Sequence, residues 1–140
     1  MNAFRHHARS CAVQMLYTLS LAKTVQPLEK LMTDFWTHFS APKEARDYAD
    51  RLVHGVIHEL EAVDAALSAA SQHWRIERMA KIDLAVLRLG AYELLFEGDV
   101  PQEVVVDEAV ELCKKFSTQE SAAFVNGVLA PIVVQTKAER

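Results

Sequence analysis

Cationic and aromatic side chains cluster near the start of the chain, in the stretch FRHHARSCAVQMLY at residues 4–17. Its basic residues are two arginines and two histidines: Arg5, His6, His7 and Arg9. No acid precedes Glu29, although the chain carries a formal net charge of −4. Guanidinium groups suit phosphates, and tyrosine or histidine rings can stack on unpaired bases. The stretch is a candidate nucleic-acid contact, but two arginines form a weak patch that an ordinary solvated helix face also explains.

Acidic side chains dominate residues 93–111, which contain no lysine or arginine. These acids are Glu93, Glu97, Asp99, Glu103, Asp107, Glu108 and Glu111. Helix solubility explains most runs of this kind. A field of one sign over adjacent helices also suits a basic partner, whose approach it would steer.

Residue types that could support catalysis or bind a metal lack the necessary spacing. His54 and His58 lie four apart, as in helical metal sites, but Gly55 follows His54 and no third ligand is evident. Asp107 and Glu108 are adjacent, so on a helix they point about 100° apart and make a poor acid–base pair. No glycine-rich phosphate loop, nucleophile elbow or spaced Cys/His dyad is found. The sequence therefore predicts no enzyme, no metal and no cofactor.

Length and composition fit one globular domain. The chain has 140 residues, of which 51% are hydrophobic and 24% charged. No apolar run approaches the roughly 20 residues that span a bilayer, and the start lacks the features of a secretory signal. Cys11 and Cys113 form no Cys-x-x-Cys pair and fall on apolar helix faces. We expect buried, reduced thiols in a cytoplasmic protein without membrane contact.

A hydrophobic period of 3.6 residues predicts helices throughout the chain. The first four predicted helices span about 4–22, 27–39, 42–67 and 77–97. Gly98 should close the fourth in a left-handed conformation, and Pro101 should start the next. The segment EVVVDEAV is rich in β-branched residues, but the helical period continues to Phe116 and no partner strand is nearby.

The final helix should begin at a capping box formed by Ser117 and Glu120, and Pro131 should end or kink it. We therefore predict an all-α protein in which residues 1–140 form a single compact domain of about six or seven helices. The helices should form two packed sub-bundles, an N-terminal half of about 1–70 and a C-terminal half of about 76–135. Their boundary should lie in the polar stretch near 70–76.

The helical projection of the first helix predicts an exposed strip beside its apolar stripe. One flank carries Arg5, His6, Arg9, Ser10, Val13 and Tyr17, and His7 and Gln14 lie further round. The helix macrodipole disfavours positive charge at the start of a helix, so helix stability does not account for these basic residues.

Three segments resemble the NusB family of bacterial transcription antitermination factors. They are ARSCAVQMLY (8–17), IDLAVLRLGAYELLFEGDVPQEVVVDEAVELCKKFST (82–118) and FVNGVL (124–129). The order and nearly full-length extent make the resemblance specific, although residues 20–75 match only in general helical character. The resemblance implies an all-helical fold of two small bundles. It also implies binding, together with the ribosomal protein NusE, to the single-stranded boxA element of nascent RNA. The complex would help RNA polymerase read through terminators, above all in ribosomal RNA operons, without catalysis.

The resemblance also assigns site residues. The implied RNA-binding residues are Arg5, His6, His7, Arg9, Gln14, Tyr17, Glu120, Phe124 and Asn126. The implied NusE-binding residues are Tyr17, Asp83 and Glu93, of which the two acids fall in the acidic region that receives the basic partner. An aromatic ring and an amide at 124 and 126 suit base stacking and base-edge contacts.

The chain departs from the family pattern in a few positions. His6 and His7 replace what are usually arginines, which removes about two charges at neutral pH. Ala130 stands where the family often has Asp, and Pro131 follows it. A helical adaptor without its own RNA specificity is the alternative function. A NusB-like domain fused to a ribosomal RNA cytosine methyltransferase is a weaker one, because these residues include no cofactor-binding domain.

Overall fold

The computed structural model describes residues 3–21, 27–72 and 75–139 and consists of helices joined by short turns. Its elements are α1 (Ala3–Leu21), α2 (Leu28–His38), α3 (Lys43–His58), α4 (Leu60–Ala70), a 3-10 turn (Ile76–Arg78), α5 (Lys81–Phe96), α6 (Gln102–Phe116) and α7 (Gln119–Glu139). Within those ranges no residue lies in a β-strand. The all-α prediction is confirmed, including the helical assignment of EVVVDEAV in α6.

Helix α5 is the centre of the structure, since it packs against α1, α3, α4, α6 and α7. Every residue from 83 to 94 except Arg88 is buried. A helix that is apolar on nearly all sides requires neighbours on all sides, and the other helices supply them. Gly55 of α3 allows one close approach, because a Cβ at that position would overlap the ring of Tyr92 on α5.

Prolines mark three helix starts, as expected. Helices α2, α3 and α6 begin directly after Pro27, Pro42 and Pro101. The two cysteines, Cys11 and Cys113, are buried and unbridged, as predicted.

Two predicted helices have different bounds in the structure. The helix expected over 42–67 is interrupted at Glu59, where φ is −102° and ψ is 21°. The interruption separates α3 from α4 and lets α4 pack on α5 and α7. The helix expected from Glu77 begins only at Lys81, because Met79 and Ala80 are extended after the 3-10 turn.

Two predicted helix ends are also wrong. Gly98 is not left-handed, since no residue in the described ranges has a positive φ. Instead α5 ends at Phe96 and Glu97 is its C-terminal cap, whose N–H donates to the carbonyl of Glu93 at 3.0 Å. Ser117 does not cap α7; the cap is Thr118, whose Oγ1 accepts from the Ser121 N–H at 3.0 Å. The Ser117 side chain is instead directed at Asp83, to which its hydroxyl donates at 2.8 Å.

Helix α7 continues through Pro131 to Glu139, so the proline does not end it. Near its far end, Gln102 of α6 donates a hydrogen bond to the hydroxyl of Thr136. Helix α1 packs on α2 and α3, whereas α4 packs on α5 and α7. The division into halves near 70–76 stays a prediction, and residues 73 and 74 lie outside the described residues, as does Ala22.

A buried ion pair joins α1 to α5. The Nε atom of Arg9 lies 3.0 and 3.1 Å from the two carboxylate oxygens of Glu93. Both side chains are only 2% exposed. Burial raises the pKa of Glu93 to about 7, against the opposing attraction of Arg9, and the nearby carboxylates Glu97 and Glu108 raise it further.

Other charged and aromatic groups surround this pair. Arg51 of α3 lies 2.9 Å from Glu97 at the end of α5. The guanidinium carbons of Arg5 and Arg9 lie 5.0 Å and 5.9 Å from the centre of the Tyr48 ring. Helices α1, α3 and α5 therefore meet at one cluster in which each positive group has an acidic or aromatic neighbour.

We expect the Arg9→Met variant to lose about 3–5 kcal/mol of unfolding free energy, because Glu93 would remain buried without its counter-charge. The double variant Arg9→Met/Glu93→Met should be more stable than the sum of the single losses predicts, since it removes both buried charges. Urea denaturation of the four proteins at about pH 8, above the pKa of Glu93, measures this coupling. The exposed pair Lys30–Asp34 is the control and should contribute less than about 1 kcal/mol. Additive losses at Arg9 and Glu93 would show that the pair is not a unit.

The pKa of Glu93 also predicts the pH dependence of stability. Burial raises the pKa of Glu93 from its ordinary value of 4.5 to about 7. Between these values the folded state holds more protons on Glu93 than the unfolded chain does, and the ion pair with Arg9 is fully ionised only above this window. The unfolding free energy should therefore fall as pH rises through this window, by at most about 3 kcal/mol. Denaturation at about pH 5, 6, 7 and 8 tests this. The Glu93→Gln variant mimics the protonated acid and should lose this component; the same slope in both proteins would contradict the assignment.

Candidate nucleic-acid interface

The predicted strip on α1 is only partly exposed. Arg9, Ser10 and Val13 are buried, so the expectation that they face solvent is wrong. The reason is that this flank of α1 lies against α5, where Glu93 neutralises the Arg9 guanidinium. Arg9 therefore holds α1 in place and presents no guanidinium at the surface.

The side chains before Arg9 remain accessible. Arg5 is 33% exposed and lies 3.8 Å from Asp99. His6 is 39% exposed, and His7 is exposed with its Nε2 4.0 Å from the sulfur of Cys11. The N-terminal turns of α1 thus offer one guanidinium and two imidazoles to a ligand.

Helix α6 contributes two contacts to this end of α1 that the sequence did not predict. The Nδ1 atom of His6 lies 2.7 Å from Glu108, a carboxylate that is 1% exposed. The ammonium of Lys115 donates to the hydroxyl of Ser10 at 3.0 Å. Each pair is more than 100 residues apart in the chain, so no local pattern could indicate it.

A second group of predicted residues converges on one cavity. Asp83, Glu120 and Phe124 line a cavity of about 300 Å³. The remaining lining residues are Arg78, Met79, Ala80, Thr118 and Ser121. The cavity lies where the 3-10 turn and the start of α5 meet the start of α7, and it combines an aromatic ring, a guanidinium and carboxylates.

Asp83 organises the wall of this cavity. One of its carboxylate oxygens accepts from Ser117 and the other from Ser121, each at 2.8 Å. Only 7% of the residue is exposed. Asp83 therefore ties α5 to the turn between α6 and α7, and both of its oxygens already have donors.

The acidic region is less exposed than its sequence indicates. Glu93, Glu97 and Glu108 are buried and lie next to Arg9, Arg51 and His6, respectively. The expectation that Asp83 and Glu93 lie on an exposed acidic surface is therefore wrong, because each is satisfied inside the fold. The exposed acids of this region are Asp99, Glu103, Asp107 and Glu111.

The other predicted site residues are scattered along α1 and α7. Gln14 is half-buried and donates to the carbonyl of Ser10 at 3.2 Å. Tyr17 is half-buried against the core. Asn126 is exposed on α7, two residues after Phe124, and does not line the cavity.

Two histidines with metal-like spacing have carboxylate neighbours instead. His54 lies 3.1 Å from Glu29, and His58 lies 3.6 Å from Glu59. In the part of the chain that the structure describes, no group of three or more His, Cys, Asp or Glu side chains could hold a metal ion. In the same ranges, no helix has the length and apolar character needed to cross a bilayer.

Sequence comparison supplies close relatives over most of the chain. Residues 6–133 match the model of the NusB family. A protein of Sorangium cellulosum named transcription antitermination protein NusB is 46% identical over 125 residues, which are 89% of this chain and 88% of that protein. A protein of Geobacter sulfurreducens with the same name is 44% identical over 131 residues, covering 91% of this chain and 92% of the relative.

Structural comparison agrees with the sequence match. The fold superimposes on a chain in the crystal structure of the antitermination factors NusB and NusE in complex with double-stranded RNA, with a TM-score of 0.86 and 29% identity. The match covers 96% of this chain and 99% of that chain. With the helical order and the family model in agreement over nearly the whole length, the chain belongs to the NusB family.

Proposed function

We propose that this protein is a cytoplasmic transcription antitermination factor that binds the boxA element of nascent RNA together with the ribosomal protein NusE. In that complex it would help RNA polymerase read through terminators, above all in ribosomal RNA operons. The observation that carries the proposal is the nearly full-length match to a NusB–NusE–RNA structure. The relatives named as antitermination proteins support it.

In this proposal the RNA follows two groups of side chains. Arg5, His6 and His7 supply the accessible cationic end of α1, and Arg9 acts by holding that end against α5. The rest of the proposed RNA surface comprises Gln14, Tyr17, Glu120, Phe124 and Asn126. A half-buried aromatic ring beside a cavity is suited to stack on an unpaired base.

The proposed NusE surface includes Tyr17 and the start of α5. Asp83 would shape this surface through its bonds to Ser117 and Ser121. Glu93 would act only indirectly, by fixing α1 on α5. Because the protein has a net charge of −4, a basic partner would lower the repulsion between the complex and RNA.

We expect boxA RNA to bind more tightly when NusE is present, by about 5- to 150-fold, the usual range of such coupling. Reciprocity requires RNA to strengthen NusE binding by the same factor. Fluorescence anisotropy of labelled boxA RNA, with and without NusE, measures the first factor. Scrambled single-stranded RNA and a boxA duplex are the controls for sequence and strandedness. If NusE binds but boxA affinity equals that of scrambled RNA, the protein is an adaptor without RNA specificity.

Tyr17 provides a test of the partner surface. Tyr17→Ala should weaken NusE binding by about fivefold or more, because removing an aromatic ring that anchors an interface costs over about 1 kcal/mol. Thr18→Ala is the matched control, since Thr18 is the next residue of α1 and is exposed, with its hydroxyl bonded to the carbonyl of Gln14. Isothermal titration with NusE measures both variants. Equal affinities for the two would remove Tyr17 from the partner surface.

A further inference from the structure

The burial of Arg9 leaves the end of α1 with fewer surface cations than its sequence indicates. Arg9 is neutralised by Glu93, and His6 lies against the buried carboxylate of Glu108. Arg5 has Asp99 at 3.8 Å. A polyanion that followed α1 alone would therefore meet little unopposed positive charge.

Lys115 of α6 brings a cation to this same place. Its ammonium donates to Ser10 of α1 at 3.0 Å and lies 5.2 Å from the centre of the Phe116 ring. The side chain is exposed. Among the residues that the structure describes, no carboxylate lies within 4.0 Å of this ammonium, whereas the neighbouring Lys114 pairs with Glu111 at 3.4 Å.

The position of Lys115 links the two groups of proposed RNA-binding residues. On one side it contacts α1 four residues after His6, through Ser10. On the other side, Ser117 follows two residues later and bonds to Asp83 in the wall of the cavity that Phe124 lines. Lys115 therefore contacts α1 directly and precedes by two residues the serine that bonds to Asp83 at the cavity.

We propose that Lys115 binds a phosphate of the RNA and completes a path from the end of α1 to the cavity at Phe124. An ammonium group has three donors. One N–H of Lys115 donates to the hydroxyl of Ser10, which fixes the position of the ammonium, and the other two can donate to phosphate oxygens. The macrodipole of α6 favours a lysine in its last turn but does so equally at 114 and 115, so it does not explain why Lys115 reaches across to α1. This inference rests on the proposed function.

The test compares Lys115→Gln with the matched control Lys114→Gln, each in complex with NusE. Anisotropy titrations of boxA RNA over a series of salt concentrations give the affinity and its salt dependence. Lys115→Gln should lower the slope of log K against log salt by about 0.7 and weaken binding about fourfold near 0.15 M salt, the share of one phosphate contact. Lys114→Gln should change neither. Lys115→Arg should retain the wild-type slope, and urea denaturation checks that each variant is folded.

Each outcome has one meaning. If the wild-type complex binds boxA and Lys115→Gln keeps the wild-type slope, the assignment of Lys115 is wrong and the proposed function stands. Equal losses at Lys114 and Lys115 would also overturn it, because general surface charge would then account for both. If the wild-type complex does not distinguish boxA from scrambled RNA, the proposed function fails, and the inference fails with it.

Discussion

The buried ion pair between Arg9 and Glu93 fixes how the first helix sits on the central one. A charge held inside a protein without its counter-charge costs several kcal/mol, so rotations or shifts of α1 that separate the two groups are strongly disfavoured. With Arg9 directed at α5, the residues one turn earlier have defined positions. Arg5 lies over the ring of Tyr48, His6 meets α6, and His7 is exposed. The pair therefore determines which side chains of α1 a ligand can reach.

The sequence predicted the helices well where local signals determine them. A period of 3.6 residues identified the helical segments but merged α3 and α4 into one, and prolines marked the starts of three helices. The errors occur where distant residues decide. Ser117 has the sequence features of a cap, but its side chain is directed at Asp83 on another helix, to which it donates, and Thr118 caps α7 instead. The interruption at Glu59 likewise has no strong local signal; it places α4 on α5 and α7.

The sequence indicated which segments hold the candidate site residues, but not which of those residues are exposed on the surface. Charged residues are usually exposed, and that expectation placed Arg9, Asp83 and Glu93 outside. Each is buried with a partner that no local pattern indicates, as in the pair Arg9–Glu93, which is 84 residues apart. The contact between Lys115 and Ser10 joins residues 105 apart and was unpredictable for the same reason. By contrast, Glu120 and Phe124 do converge with Asp83, because one turn of α7 places them together at the mouth of one cavity.

Pro131 interrupts the backbone hydrogen bonds of α7 without ending the helix. Proline has no amide hydrogen, so the carbonyl of Gly127, four residues earlier, lacks its helical hydrogen bond. Gly127 also has no side chain, and a Cβ there would meet nothing within 4 Å, so this side of α7 is open, whereas Val125, Val128 and Leu129 beside it are buried in the core. Beyond it, the bond from Gln102 to Thr136 anchors the end of the helix. Bending near Pro131 would break fewer backbone hydrogen bonds than bending elsewhere in α7. The start of α7, which carries Phe124, and its end, which carries Thr136, are therefore joined by a stretch with one backbone hydrogen bond fewer than an uninterrupted helix would have.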